Sequence, residues 1–270
     1  MRKLDGFWLV TSLVIAFGLS LFHLYTGAFG TFTPLVQKAV HLTPLMVLVF
    51  LLYPATARSP RNRPSVPDMV MASMSAIFGI YFLVKSPETM ERIWYISPLT
   101  AADQLLGILA ILLLLESTRR CLGMALAMTA LLALLYAGLG AYIPGVFGHP
   151  GFNVTQIVDY LVWSDQGIFG LPLGVSATFV ALFVILGAIL TKAGITDVFR
   201  DIAIRSASKT VGGPAKIAVI FSSLIGTVSG SSAANVYAVG TFTIPLMKSN
   251  GYEPHQAAGI EATASCGGQI

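Results

Sequence analysis

Charged residues are scarce in this sequence: Asp, Glu, Lys and Arg make up only 10% of the 270 residues, and hydrophobic residues make up 55%. A soluble domain usually carries about 25% charged residues, so an ordinary soluble protein is excluded. The two cysteines are too few for a disulfide framework or a zinc site. The four histidines are scattered without the spacing of metal ligands. We therefore expect an integral membrane protein with no cofactor.

Long apolar runs are what the sequence has in abundance. A helix needs about 20 apolar residues to cross the hydrocarbon core of a bilayer. Such runs occur at residues 7–28, 40–56, 69–84, 104–117, 121–142 and 170–191, and a shorter pair follows at 212–228 and 232–247. This pattern predicts an all-α, polytopic protein whose main surroundings are the lipid bilayer.

The distribution of the basic residues predicts an orientation. The net charge of +4 is compatible with a nucleic-acid partner, but the Lys and Arg residues sort by side of the membrane. If the N-terminus is cytoplasmic, only Lys38, Lys85 and Arg92 lie outside, which follows the positive-inside rule and leaves no need for nucleic acid. Lys248 is cytoplasmic only if the pair at 212–247 enters and returns on one side, so the pair is predicted to be a re-entrant hairpin.

The composition of the sequence changes near residue 118. Residues 1–118 contain four spans with short, Pro-containing connections, whereas residues 119–270 are richer in Gly. Two later stretches, "GFNVTQIVDYLVWSDQ" and "GITDVFRDIAIRSASK", are typical of helices lying along the membrane interface or of ordinary amphipathic connectors. A new apolar segment begins near residue 253 and stops directly after Gly267 and Gly268, so we expect the N-terminal part of a longer polypeptide.

A break in the hairpin is the most specific feature of the sequence. Within "GTVSGSSAANVYAVG", residues 226–240, Gly226 and Gly230 fit a close helix-packing pattern. However, Ser229, Gly230, Ser231 and Ser232 are consecutive and surround the helix axis, which favours an interruption. In lipid an interrupted helix is tolerated only where protein, water or a ligand satisfies its backbone groups. The carbonyl end of the first arm suits a cation, and the second arm, capped by Ser231 or Ser232, favours an anion.

The side chains around this break indicate which cation it would bind. The available ligands are oxygen atoms, with no thiolate or imidazole nearby, and they favour sodium over a softer metal. They belong to Thr227, Ser229, Ser231, Ser232 and Asn235. Gly230 supplies backbone freedom, because glycine adopts positive φ at little steric cost.

Glu261 is a second candidate, because an ionisable residue in a membrane segment is a functional candidate by default. It is predicted to take part in coupling. The simpler alternatives are that it reaches a cytoplasmic cavity or pairs with Lys216 or Lys248.

An enzymatic function is not favoured by the same stretch. Intramembrane serine proteases use Gly-x-Ser-Gly, but Thr227 stands at the first position of that pattern here. They also need a histidine on a neighbouring helix, and His255 is predicted to lie near a cytoplasmic boundary. We therefore predict a protein that is not an enzyme, with a non-transporting membrane scaffold as the main alternative to a transporter.

The stretch from "GGPAKIAVIFSSLIGTVSGSSAANVYAVG" to "TASCGGQI", together with "GIFGLPLGVSATFVALFVILGAIL", resembles the large membrane subunit of tripartite ATP-independent periplasmic (TRAP) transporters. The resemblance covers residues 119–270, and residues 1–118 match the small four-helix subunit of the fused form in the number and position of their spans. It implies a permease of the bacterial inner membrane that takes up a small organic acid. A periplasmic binding protein would deliver this acid, sodium ions would drive uptake, and the substrate site would move by an elevator-like motion.

The resemblance also assigns roles to residues. The Ser-Gly-Ser stretch matches the tip of the first re-entrant hairpin, and "SCGGQ", with Ser265, Gly267 and Gly268, matches the start of a broken helix beside it. Both regions help to form the sodium sites of the family. Many relatives have an acidic residue shortly after the tip, where this chain has Asn235, so a charged cation ligand is not expected at that position.

Overall fold

The computed structural model describes residues 2–56, 59–93, 96–229 and 232–268, with the side chains of Ala233 and Ala234 left aside. Within these residues the chain is helical and contains no strand, which confirms the all-α prediction. The α-helices are α1 (Gly6–Phe29), α2 (Pro34–Leu52), α3 (Val66–Glu91), α4 (Ala101–Leu122), α5 (Met124–Leu139), α6 (Val154–Val162), α7 (Leu171–Val175), α8 (Ala181–Lys192), α9 (Ile195–Ala207), α10 (Gly213–Ser229), α11 (Ser232–Ser249) and α12 (Pro254–Gly267). A π-helical segment, Ser176–Val180, connects α7 to α8.

Several helices are long and apolar enough to cross a membrane. In the described part of the chain there are five: Gly6–Phe29, Pro34–Leu52, Val66–Glu91, Met124–Tyr142 and Leu171–Lys192. They coincide with five of the six predicted spans, which confirms a polytopic membrane protein. The remaining predicted span, residues 104–117, is also helical and lies within α4, but α4 is not one of the five.

The chain divides into two compact units, Met1–Thr178 and Phe179–Ile270. In the first unit α2 and α3 pack so closely that a Cβ atom added at Gly79 would lie 2.2 Å from Cγ2 of Thr43. An aromatic core lies beside them, where Phe82 stacks on Phe169 with ring centroids 4.1 Å apart. The assignment of residues 1–118 to a small-subunit-like domain stays a prediction.

The two ends of the first unit carry different ionic contacts. At one end the buried Asp68 carboxylate accepts bonds from Arg2 at 2.5 Å and Arg120 at 2.6 Å. Arg2 and Arg120 are both predicted to be cytoplasmic, and they bind the same carboxylate, so they lie at the same end of the unit. Arg92, from the set predicted to be external, instead pairs with the buried Asp159 at 3.2 Å. The side of the membrane on which each end lies stays a prediction.

The second unit is built around α10. Phe221 and Ile225 on α10 are buried with Ala203 and Ala207 of α9 and Val239 of α11. The other side of α10 packs with α11 and α12 around Ala218, Met247 and Ala257. Helix α9 occupies the second predicted amphipathic stretch and α6 the first, so both are helical as expected.

Candidate functional site

The two arms of the predicted hairpin are α10 and α11. Gly212, with φ of +71°, and Pro214 in the first turn start α10, because glycine allows the left-handed backbone and proline fits the beginning of a helix. Helix α10 ends at Ser229 and α11 begins at Ser232, which agrees with the predicted arms. The two central residues of the predicted break, Gly230 and Ser231, lie outside the described residues.

Helix α12 approaches α10 at backbone distance near the end of the first arm. A Cβ atom added at Gly226 would lie 2.0 Å from the carbonyl oxygen of Gly268, and one added at Gly268 would lie 2.7 Å from that of Ser222. On another side of the arm, a Cβ added at Gly187 of α8 would lie 2.7 Å from the carbonyl oxygen of Val228. The absence of side chains at these positions is therefore what brings three helices together at the end of α10. Gly226 therefore allows close helix packing, which is the alternative role that the sequence suggested for it.

A chain of buried polar side chains connects α10, α11 and α12. Asn235 donates from Nδ2 to the Ser222 carbonyl at 2.9 Å. The Ser222 hydroxyl lies 3.0 Å from the Ser265 hydroxyl, which lies 3.0 Å from Oε1 of Glu261. Oε2 of Glu261 contacts the hydroxyl of Thr243. All five side chains are buried, with Glu261, Asn235, Ser222, Thr243 and Ser265 each at 0% exposure.

This chain unites three of the predicted site residues, Asn235, Glu261 and Ser265. The structure shows that the simple alternatives for Glu261 are wrong: the side chain is fully buried, and Lys216 and Lys248 are exposed at the surface. No ion pair involves Glu261 within the described part of the chain.

The other predicted site residues lie apart from this chain. Thr227 is exposed, and its hydroxyl donates to the Leu224 carbonyl of its own helix at 2.6 Å. Ser229 and Ser232 are half-buried at the ends of the arms that face the break. Gly267 has nothing within 4 Å of an added Cβ, whereas its neighbour Gly268 makes the close contacts with α10.

Sequence reasoning missed Ser222 and Thr243. Ser222 precedes Gly226 by one helical turn, so it lies on the face of α10 that meets α12. Thr243 follows Asn235 by two turns on α11 and lies on the same face of that helix. The sequence did contain a signal for both residues. Ser222 lies four residues before Gly226, and Thr243 lies eight residues after Asn235, so each shares a helix face with a residue that had already been identified.

Among the described residues, one buried atom in this chain of polar side chains lacks a hydrogen-bond partner. Oδ1 of Asn235 is buried and has no hydrogen-bond partner among the described residues. Burying a polar group without a partner is costly, so such an atom needs an explanation. An amide oxygen is a suitable ligand for a hard cation.

A cleft opens beside the end of the first arm. It has a volume of about 190 Å³ and is lined by Val228 and Ser229 of α10, by Gly187 and Thr191 of α8 and by Thr196 of α9, among others. Oγ1 of Thr196 is buried and also lacks a hydrogen-bond partner among the described residues. The end of the arm therefore faces a small space whose lining includes Thr196, a residue with a buried hydroxyl that lacks a partner among the described residues.

The fold and the site define a class of protein: an all-helical, polytopic membrane protein in which a pair of apolar helices encloses buried polar side chains. The model of the family described as "Tripartite ATP-independent periplasmic transporter, DctM component" matches residues 109–270. This match covers more than half of the chain, and the chain belongs to that family.

Two curated proteins are similar to parts of the chain. One is the "Putative TRAP transporter large permease protein" of Haemophilus influenzae, 26% identical over 132 residues, which are 49% of this chain and 28% of that protein. Another is the "2,3-diketo-L-gulonate TRAP transporter large permease protein" of Escherichia coli, 27% identical over 84 residues, 31% of this chain and 20% of that protein. The chain thus spans less than a third of the length of each relative. No solved structure matches it.

Proposed function

We propose that the chain is the membrane permease component of a TRAP transporter and couples sodium entry to the uptake of a small organic acid. A periplasmic binding protein would deliver the acid. Family membership over residues 109–270 supports a permease over a non-transporting scaffold or an intramembrane protease. The name of one relative specifies 2,3-diketo-L-gulonate, a small carboxylate, which supports the same substrate class for this chain.

The observation that carries the proposal is the buried Oδ1 of Asn235, which has no hydrogen-bond partner within the described ranges of the chain. A neutral amide oxygen can coordinate sodium without introducing a negative charge, so an acidic ligand is not required at this position. Ser229 and Ser232, at the ends of the two arms, would complete the coordination with oxygen atoms. Thr227 fits less well than predicted, because its exposed hydroxyl is bonded to Leu224.

The same hairpin offers a position for an anionic substrate. The N-terminal end of α11, at Ser232, carries the positive end of the helix dipole, which favours an anion. The cation and the carboxylate would thus occupy opposite helix ends and attract each other. This arrangement gives a direct reason for sodium and substrate to bind together.

Sodium binding is tested by thermal unfolding of the intact, detergent-purified protein in NaCl and in KCl at equal ionic strength. We expect a higher unfolding temperature in NaCl, since a ligand present at about 100 times its dissociation constant stabilises the native state by about 2.7 kcal/mol. Asn235→Ala should unfold at the same temperature in both salts. Asn250→Ala, which changes an exposed residue near the end of α11, should keep the full sodium effect.

Delivery by a binding protein is tested separately. Right-side-out vesicles containing the intact permease are given a sodium gradient and labelled small carboxylates, 2,3-diketo-L-gulonate included, with or without a periplasmic extract outside. We expect uptake only with extract and sodium together. Uptake without extract contradicts the role of a binding protein, and uptake without sodium contradicts the choice of coupling ion.

A further inference from the structure

Helix α9 runs beside α10 in the opposite direction. At one end, Thr196 of α9 lines the same cleft as Val228 and Ser229, the last residues of α10. At the other end, a Cβ atom added at Gly213, where α10 begins, would lie 2.8 Å from the carbonyl oxygen of Ala207. The C-terminal end of α9 therefore lies where α10 begins, an end of the second unit that we call the base of the hairpin.

One side of α9 is covered by protein and another is exposed. Ala203 and Ala207 are buried against α10. Val198, Ile202 and Arg205 follow one another at four and three residues, so at about 100° per residue they form a stripe on the side away from those alanines. Val198 is 52% exposed, Ile202 is 44% exposed and Arg205 is exposed as well. This α9 stripe is apolar toward the break and basic toward the base of the hairpin.

The base of the hairpin is rich in positive charge. Ala218 near the start of α10 packs with Met247 near the end of α11, so both helix ends lie there. Exposed basic residues follow the end of α9 and lie near these two ends: Lys209, Lys216 and Lys248. No ion pair involves them or Arg205 within the described part of the chain, since the acidic residues of α9 pair with Arg200 instead. Glu253 adds a negative charge just beyond α11, but the positive charges outnumber it.

The surroundings of α9 are set by its neighbours in the chain. The segment Leu171–Lys192, which is long and apolar enough to span a membrane, ends shortly before α9 begins at Ile195. Helix α10, which follows α9, is also apolar. A helix between two such segments lies beside lipid, and an exposed side that is apolar at one end and basic at the other matches a lipid in order, with acyl chains first and headgroup last.

We propose that the α9 stripe binds an anionic phospholipid, with the acyl chains along Val198 and Ile202 and the phosphate at Arg205 and Lys209. A guanidinium group forms charge-assisted hydrogen bonds with phosphate oxygens, and the neighbouring lysines attract a headgroup of negative net charge. Because α9 packs along α10, a lipid bound here holds the base of the hairpin at the membrane surface. The inference is independent of whether the hairpin binds sodium.

Thermal unfolding of the intact, detergent-purified protein tests the proposal, with phosphatidylglycerol or phosphatidylcholine of the same acyl chains added to the micelles. We expect a higher unfolding temperature with phosphatidylglycerol, since a ligand that binds the native state stabilises it. The double variant Arg205→Gln/Lys209→Gln should lose this difference. The matched control Arg61→Gln/Arg63→Gln removes two exposed basic residues of the first unit and should keep it. Equal unfolding temperatures of the wild type in the two lipids, or equal loss of the difference in both double variants, would overturn the proposal.

Titration with fluorescently labelled phosphatidylglycerol measures the affinity directly and is independent of any change in stability. At low ionic strength Arg205→Gln/Lys209→Gln should bind about 30-fold more weakly than the wild type, because each basic residue beside an anionic headgroup contributes roughly a five-fold factor. Wild-type affinity should fall as KCl is added, since salt screens exposed charges. An affinity that does not change with KCl, or an unfolding temperature raised as much by inorganic phosphate as by the lipid, contradicts binding of an anionic lipid by this stripe.

Discussion

Single hydroxyl groups hold the polar chain of the second unit together. Ser222 is the central one, because its hydroxyl meets Ser265 while its carbonyl receives Asn235. Ser223, the next residue, is exposed and lies about 100° further around the helix axis. Substitution of each of these adjacent serines therefore compares the same chemical change at a buried and at an exposed position of α10.

We predict that Ser222→Ala lowers the free energy of unfolding by about 1 kcal/mol, because it removes one buried hydrogen bond and leaves Ser265 with one partner fewer. Ser223→Ala should change it by less than about 0.5 kcal/mol. Chemical denaturation in detergent, followed by near-UV circular dichroism, measures both. Equal effects of the two substitutions would show that the Ser222 hydroxyl does not stabilise the unit.

At the scale of elements, glycines decide how closely helices approach. Gly226 of α10 faces the carbonyl oxygen of Gly268, and this obstacle is backbone that cannot rotate away as a side chain does. Gly259, inside α12, has nothing within 4 Å of an added Cβ. One glycine is thus required by packing and the other is not.

Gly226→Ala should therefore force α12 away from α10 and lower the free energy of unfolding by about 1–3 kcal/mol, the usual cost of overpacking. Gly259→Ala should leave stability unchanged or raise it by about 0.5–1 kcal/mol, because alanine is the better helix former. Thermal and chemical unfolding of both variants check the pair. A neutral Gly226→Ala would contradict the close approach of the two helices.

The ion cluster at Asp68 joins three elements of the first unit. Arg2 comes from the segment before α1, Asp68 from the first turn of α3 and Arg120 from the last turn of α4. All three charged groups are fully buried, and Asp68 is the carboxylate that both arginines share, while Arg120 also pairs with Glu116 at 2.7 Å.

We predict that Asp68→Ala lowers the free energy of unfolding by about 3–5 kcal/mol, because it leaves the buried guanidinium group of Arg2 without a carboxylate and Arg120 with Glu116 alone. Glu88→Ala, which breaks the exposed pair with Lys85, should have little effect. Expression level and unfolding temperature of the two variants measure the difference. Similar stability of both variants would contradict the importance of burial.

At the scale of the whole molecule, the alternation of basic residues predicts a cytoplasmic N-terminus. Exposed positions for single cysteines are Asn62 and Ser206 on the predicted inner side and Glu88 on the predicted outer side. The native Cys121 and Cys266 are both exposed, so both must be replaced first.

A membrane-impermeant thiol reagent applied to intact cells with a permeable outer membrane should label a cysteine at position 88. Cysteines at 62 and 206 should react only after the inner membrane is permeabilised. The reason is the cost of moving short, basic loops across the membrane during insertion. The reverse labelling pattern would invert the orientation, and labelling of 62 without 206 would contradict the number of crossings between them.

Much of the architecture could be predicted from the sequence because its signals are local. Apolar runs predicted the helices, and the Ser-Gly-Ser-Ser stretch placed the ends of α10 and α11 within one or two residues of the observed Ser229 and Ser232. The resemblance carried by the same stretch agreed with the family that matches residues 109–270. Glu261 was recognised as a candidate for coupling, which stays a prediction, whereas the simpler alternative that paired it with Lys216 or Lys248 was wrong.

Sequence alone thus determined the helices, their order, the ends of α10 and α11 and the family, since hydropathy and helix-ending residues act over a few neighbouring positions. Only the tertiary structure decided that Asn235, Ser222, Ser265, Glu261 and Thr243 form one chain. Contacts between helices depend on how each helix is rotated and how closely glycines let the backbones approach. These quantities are set by the packing of all three helices together, so no local pattern could have paired Glu261 with the hydroxyl groups of Thr243 and Ser265.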